Sequence, residues 1–270
     1  MRIAVFGDVM GRSGRTALLD RLPSLKTRYA LDFTIVNVEN AAGGFGVTAK
    51  IADDFIAAGA DVLTTGNHAY DQREEIEIFD REERLLRPVN FPKENPGRGS
   101  GVFTANNGSS VLVVHAQGQI GMPPGDDPFS AVDRELAGAV LGKDVDAIVV
   151  DFHAEATSEK NAMGHFLDGR ASLVVGTHTH IPTADDQILP RGTGYITDLG
   201  MSGDYDSVIG MEKSEPLRRF ITKIPGGRFS PAAGEATISG VIVETDENGL
   251  AQTINPIRLG GRLKTADPVA

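Results

Sequence analysis

The 270-residue sequence has no cysteine. That absence excludes a disulfide framework, a thiolate metal site and a cysteine nucleophile, and it fits a reducing compartment. Any metal ion must then be held by nitrogen and oxygen ligands. Long apolar runs are missing too. The stretch from Met1 to Phe6 meets Gly7 and Asp8 at once, too early for the apolar region of a signal peptide, and nothing later approaches a membrane-spanning segment. The expected location is cytoplasmic. Positive charge is scarce: 26 Lys and Arg face 37 Asp and Glu, a formal net charge of -11. Long nucleic acid needs clustered cations, so no extended nucleic-acid surface is expected. A small phosphate ester stays open, because a bound cation can dominate the charge of its own site. There is also no internal repeat, low-complexity tract or long Ser/Gly linker.

What is present suits one α/β domain over residues 1–270, since a hydrophobic content of 40% can fill a full core. Short apolar runs with polar ends recur along the chain. Ile3 to Phe6 reads as a strand ending at Gly7-Asp8, and Arg15 to Lys26 as a helix complicated by Pro23. Phe33 to Val38 leads to Glu39-Asn40. Thr48 to Ala58 has helical spacing, and Asp61 to Thr65 ends in Gly66-Asn67-His68. Asp71 to Arg84 reads as a charged, solvated helix. The loop-like Arg87 to Gly101 includes Asn90-Phe91-Pro92, read as a loop anchor with a base or ribose pocket as the alternative. Gly101–Thr104 and Ser110–Val114 form a hairpin around Asn106-Asn107-Gly108, followed by a helix from Phe129 to Leu141. Ala147 to His153 is a strand, Thr157 to Leu167 a helix, and Ala171 to Val175 a strand that delivers Gly176-Thr177-His178-Thr179-His180. Beyond it the chain turns β-rich, with one short helix near Pro216 to Thr222 and a peripheral tail after Gly260.

Five strands thus end in Asp8, Glu39-Asn40, Asn67-His68, His153 and His178-x-His180. In α/β folds the C-terminal strand ends gather at one edge of the sheet. Singly, each residue has an ordinary explanation: Asp8 as a helix cap, Asn40 in a turn, His153 as a core histidine. Together they offer carboxylate, amide oxygen and imidazole, a donor set for manganese, iron or zinc. If both His178 and His180 lie on a strand, they share a face and can reach one metal site. His115 and His165 fall outside this pattern and read as structural or surface residues.

The chain resembles the calcineurin-like metallophosphoesterase superfamily, in particular its bacterial YmdB-like branch, over nearly its whole length. The resemblance is carried by Gly7-Asp8-Val9, Val38 to Ala42, Gly66-Asn67-His68, Asp151 to Lys160, Gly176 to His180 and Asp198 to Met201. The superfamily usually has Asp-x-His first and Gly-Asp-x-x-Asp second; here Val9-Met10 follow Asp8, and Glu39-Asn40 replace the bridging aspartate. Those replacements are features of the branch.

The resemblance implies a four-layer α/β/β/α sandwich of two mixed β-sheets flanked by helices. It also implies two divalent or mixed-valence metal ions, iron or manganese, with zinc or magnesium as alternatives. Asp8, Glu39, Asn40 and His180 would hold one ion. Glu39, Asn67, His153 and His178 would hold the other, with Glu39 bridging and His68 catalytic beside the substrate phosphate. The implied activity is hydrolysis of a small phosphodiester by a metal-bridging hydroxide, the substrate a 2′,3′-cyclic nucleotide or a 3′,5′-cyclic one. The alternatives are a broad phosphatase/phosphodiesterase and a regulatory metal- or nucleotide-binding protein with incidental turnover. A homo-oligomer is a further expectation, with residues 202–234 forming an excursion that caps the site or mediates assembly.

Overall fold

Alternation along the strands builds the architecture. In β1 (Arg2–Phe6) of the computed structural model, which describes residues 1–268, Ile3 and Val5 point one way and Ala4 and Phe6 the other, all fully buried. After it come α1 (Gly11–Arg28), β2 (Phe33–Asn37), α2 (Ala49–Ala57), β3 (Val62–Thr64), α3 (Ile78–Arg81) and β4 (Leu85–Leu86). The chain then forms β5 (Ser100–Thr104), β6 (Ser110–Gln117), α4 (Pro128–Leu136), β7 (Ala147–His153), α5 (Thr157–Leu167) and β8 (Leu173–Thr177). Last are β9 (Gln187–Ile188), β10 (Gly194–Ile196), β11 (Gly203–Asp204), α6 (Ser214–Thr222), β12 (Ala236–Thr245) and β13 (Ala251–Leu259). Residues 269–270, the end of the tail expected to be peripheral, lie outside the described residues.

Two mixed sheets result. One runs β11-β12-β1-β2-β3-β4 with β13 paired to β12, and β1 to β4 are parallel; the other runs β5-β6-β7-β8-β10-β9, with β6, β7, β8 and β10 parallel. Ile3, Val5 and Ile35 meet Val113, Val149 and Val175 between the sheets. Ala4, Phe6 and Leu63 pack outward on Leu18, Leu22 and Phe55 of α1 and α2. Val114, Val150 and Val174 pack on Val132 and Met163 of α4 and α5. This is the four-layer α/β/β/α sandwich. Each fully buried aliphatic side chain contributes about 1.5–3 kcal/mol, and a one-residue slip would exchange the two faces of a strand. Register is fixed accordingly.

Three sequence expectations change. Asp71 to Arg84 is no continuous helix but a 3-10 turn, Arg73–Glu75, and the single turn α3. Only Ile78 and Phe79 there are buried apolar groups, too few for the packed face that sustains a helix. The helix expected to reach Leu141 stops at Leu136. Pro23 sits inside α1 on its exposed side, where water can satisfy the carbonyl freed by the missing N–H.

Candidate metal centre

Parallel pairing brings the strand ends together. Just beneath them, buried Asp151 of β7 accepts from Asn37 Nδ2 at 3.1 Å, Thr64 Oγ1 at 2.5 Å and Thr177 Oγ1 at 2.7 Å. One carboxylate therefore ties both sheets together. Above it, His153 Nε2 lies 3.1 Å from Asn67 Oδ1, 3.4 Å from Glu39 Oε1 and 3.1 Å from His178 Nδ1. His180 Nε2 lies 3.1 Å from Asn40 Oδ1 and 4.0 Å from Asp8 Oδ1. His68 joins through its backbone N–H, which donates to Glu39 Oε1 at 2.7 Å. All eight residues singled out from the sequence come together.

His178 and His180 do not lie on a strand. β8 ends at Thr177, and both histidines have left-handed backbones, φ 96° and 65°. Non-glycine residues there are strained and need outside support. Asp198 supplies it by accepting from Thr179 Oγ1 at 2.7 Å and from the buried Lys160 Nζ at 2.6 Å. The twist sends the two rings to different partners rather than one shared face. Gly66 is required by close approach: a Cβ there would stand 2.3 Å from His153 Nε2.

The positions of the protons decide what these contacts are. The Thr177 hydroxyl gives its single hydrogen to Asp151, so toward His153 Nδ1, 3.0 Å away, it can only accept. His153 Nδ1 carries the proton and the Nε2 lone pair faces Asn67, Glu39 and His178. His180 Nδ1 donates to the Ile209 carbonyl at 2.7 Å, which leaves its Nε2 lone pair facing Asn40 Oδ1. Asn40 is oriented in turn, because its Nδ2 donates to Gly44 O at 2.9 Å. His178 Nε2 is 3.3 Å from Glu155 Oε2, which favours a proton there and a bare Nδ1. Lone pairs thus converge on lone pairs, and buried Asp8 Oδ1 and Glu39 Oε2 have no hydrogen-bond partner among the described residues.

A cation would satisfy these facing lone pairs together, while burial keeps a second proton off the three imidazoles. Burial pushes His153 well below the usual imidazole range, with His115 adding to the effect, pushes His178 down to about 3, and lowers His180. Burial, reinforced by Asp198 and Asp151, raises Asp8 well above the usual carboxylate range, and burial raises Glu39. Two ligands of one ion lie ~3.0–3.4 Å apart at ordinary bond lengths and angles, matching the 3.1–3.4 Å separations around His153 Nε2. Among the described residues no set of three His, Asp or Glu groups is by itself able to hold a metal ion. The asparagine oxygens Asn40 Oδ1 and Asn67 Oδ1 extend the donor set.

Sequence reasoning missed four supporting groups. Asp71, read as part of a solvated face, accepts from His68 Nδ1 at 2.7 Å. Glu155 and Thr177 lie inside Asp151 to Lys160 and Gly176 to His180, where the pattern assigns them no role of their own. The Ile209 carbonyl carries no side-chain signal at all. His115 is fully buried, its Nδ1 3.1 Å from the Asp151 carbonyl, while His165 is exposed on α5. Asn90 is a buried loop anchor, donating to Gln117 O and Asp126 O.

A cavity of about 700 Å³ opens over the cluster. Glu39, Asn40, His68, His178 and His180 line it, as do Phe45, Glu155 and residues of the 202–234 segment. A cluster of nitrogen and oxygen donors at the strand ends of a four-layer sandwich, under such a cavity, suits a phosphoesterase that uses metal ions. A family model described as YmdB-like protein matches residues 4–257. The chain belongs to the YmdB-like family, and that membership implies metal ions. It is 48% identical over 247 residues to the 2′,3′-cyclic-nucleotide 2′-phosphodiesterase of Bacillus subtilis (strain 168), covering 92% of each protein. The fold matches the crystal structure of a hypothetical protein from Thermus thermophilus with TM-score 0.89 at 42% identity, over 97% of this chain and 100% of that one. It also matches a novel phosphatase from Mycoplasma pneumoniae with TM-score 0.89 at 33% identity, over 100% of this chain and 95% of the other. No helix among the described residues is long and apolar enough to cross a membrane.

Proposed function

We propose that this chain is a dinuclear metal-dependent phosphodiesterase acting on small cyclic nucleotides, with 2′,3′-cyclic nucleotides as the first substrate class. The observation that carries the reading is the pair of imidazole lone pairs, His153 Nε2 and His180 Nε2, each facing an amide oxygen with no proton between. Asp8, Glu39, Asn40 and His180 would hold one ion, and Glu39, Asn67, His153 and His178 the other. Iron or manganese suits this set of nitrogen and oxygen donors. When bound, the ions supply a water nucleophile ionised near neutral pH and positive charge for the phosphate oxygens.

The remaining steps belong to the protein. Glu39 belongs to both proposed donor sets, where its charge would offset repulsion between two cations. Thr177, Ile209 and Glu155 set the tautomers of His153, His180 and His178, so each ring presents a lone pair. His68, its Nδ1 against Asp71, presents Nε2 toward the departing alkoxide and gives it a proton. Phe45 packs edge-on to the His68 ring at 5.0 Å between centroids and limits its rotation. In this reading residues 202–234 act as a cap, with Val208, Ile209, Met211 and Phe229 lining the cavity. Similarity to a phosphatase structure supports a second reading, a broader phosphatase/phosphodiesterase. One panel of cyclic nucleotides, linear diesters and monoesters, with metal quantified in the same sample, separates the two. Hydrolysis confined to cyclic diesters is expected; full activity in chelated protein would remove the metal reading.

A further inference from the structure

The cavity has two unlike halves. Its floor is polar, with Glu39, Asn40, His178 and His180, while the wall from residues 208–229 is apolar apart from Arg219 and Lys223. Arg219 is the informative residue there. Its guanidinium carbon stands 4.0 Å from the centroid of the Phe229 ring, a stacked cation–π contact. Nε donates to Glu215 Oε1 at 2.7 Å and Nη2 to the Gly227 carbonyl at 2.7 Å. An arginine that grips phosphate presents a free fork of N–H donors. Here two of its five N–H donors, on Nε and Nη2, are engaged within the segment and its charge is matched by Glu215. Held flat on an aromatic ring, the guanidinium lines the cavity as a plate. Phe220, 70% exposed, lines the same wall.

The wall is joined to the floor by the hydrogen bond from His180 Nδ1 to the Ile209 carbonyl, so the two halves belong to one site. A ligand with its phosphate over the floor carries its other end to the wall. We infer that Arg219, Phe220 and Phe229 form a platform for the nucleobase of a cyclic nucleotide, the base stacking on the guanidinium plane that Phe229 supports. This rests on the phosphodiesterase reading and names what selects the substrate. A base matches the wall because its flat π face fits a planar plate, whereas an acyl chain has no use for a guanidinium locked flat.

Steady-state kinetics with 2′,3′-cyclic AMP and with glycerol 1,2-cyclic phosphate, a five-membered cyclic diester without a base, test the platform. For Arg219→Ala, Arg219→Lys and Phe220→Ala, KM for the nucleotide should rise about tenfold, the lower end of what one stacked base contributes, with kcat little changed. Turnover of glycerol 1,2-cyclic phosphate should be unaltered. Arg219→Lys keeps the charge and removes the plane, so it separates stacking from electrostatics. Equal losses with both substrates would overturn the platform, since they mean general damage to the cap. So would an unchanged nucleotide KM, including the case in which the variants alter only self-association and α6 packs on a second copy of the chain. If the wild type hydrolyses neither diester, the phosphodiesterase reading fails while the platform is still tested by calorimetry. Binding of adenosine 3′-monophosphate about tenfold weaker in the variants would support it, and equal binding would overturn it.

Discussion

Replacing Thr177 with valine tests the proton inventory on which the metal centre rests. The change keeps the shape of a fully buried strand residue and removes one hydroxyl. That hydroxyl donates to Asp151 Oδ1 at 2.7 Å and accepts from His153 Nδ1 at 3.0 Å. Two buried partners lose their bond. Each unsatisfied group costs roughly 1–3 kcal/mol, more for a carboxylate, so a loss of about 2–4 kcal/mol is expected. At about 2–4 °C per kcal/mol for a domain approaching this size, Tm should fall by about 4–16 °C. The metal effect is separate. Without Thr177 the His153 proton is free to move to Nε2, where it can bond Asn67 Oδ1 or Glu39 Oε1 and remove the lone pair a metal would need. Affinity should therefore fall by about 10–100-fold, the usual cost of losing a group that orients a ligating histidine. Thr177→Ser should restore most of both. Metal content by mass spectrometry, thermal unfolding and steady-state rates give the readouts. A Thr177→Val protein with wild-type metal affinity and a lowered Tm would refute the tautomer reasoning while leaving the hydrogen bonds intact.

Asp71→Asn should lower kcat by about 10–100-fold with metal content unchanged, because it weakens the partner that orients His68; an unchanged rate would remove Asp71 from the support of proton transfer. Gly66→Ala should fold and lose metal, since its Cβ would stand 2.3 Å from His153 Nε2 and the buried ring has nowhere to move; metal content and circular dichroism together decide. The pH dependence follows from His178, held down to about 3 by burial and then by the neighbouring His153. An unfolded histidine takes up its proton near ~6.5, so between that value and about 3 the unfolded chain binds more protons and stability falls as pH falls. In metal-free protein, wild type should lose about 2 kcal/mol more than His178→Asn between about pH 7 and about pH 5. Urea unfolding at both values measures it, and parallel losses would refute the burial account.

The strands that carry the site were legible because each is a short apolar run with a polar residue at its end. β1, β2, β3 and β7 stand where that pattern puts them, and so does the helix α5. Asp71 to Arg84 misled for a definite reason: its residues favour helix locally, while only Ile78 and Phe79 can pack. The misreading also hid Asp71, whose partner His68 is three residues away but whose orientation depends on the broken helix. Glu155 sits in the open on the cavity wall, and nothing in its sequence neighbourhood distinguishes it from a solvated acid.

Residue types and their order along the chain set the chemical palette and the order in which it is delivered. With no cysteine, the donors are carboxylate, amide and imidazole, and parallel strands in hydrogen-bonded register bring their C-terminal ends to one edge. Tertiary structure decided the states of those donors. The left-handed turn at His178 and His180 separates two rings that a strand would have aligned. Thr177, Glu155 and the Ile209 carbonyl decide which nitrogen of each ring is bare. A tautomer is set by the partner of the other ring nitrogen, and for His178 and His180 that partner lies 23 and 29 residues away along the chain. No local pattern encodes it, because only packing brings those atoms within hydrogen-bond reach.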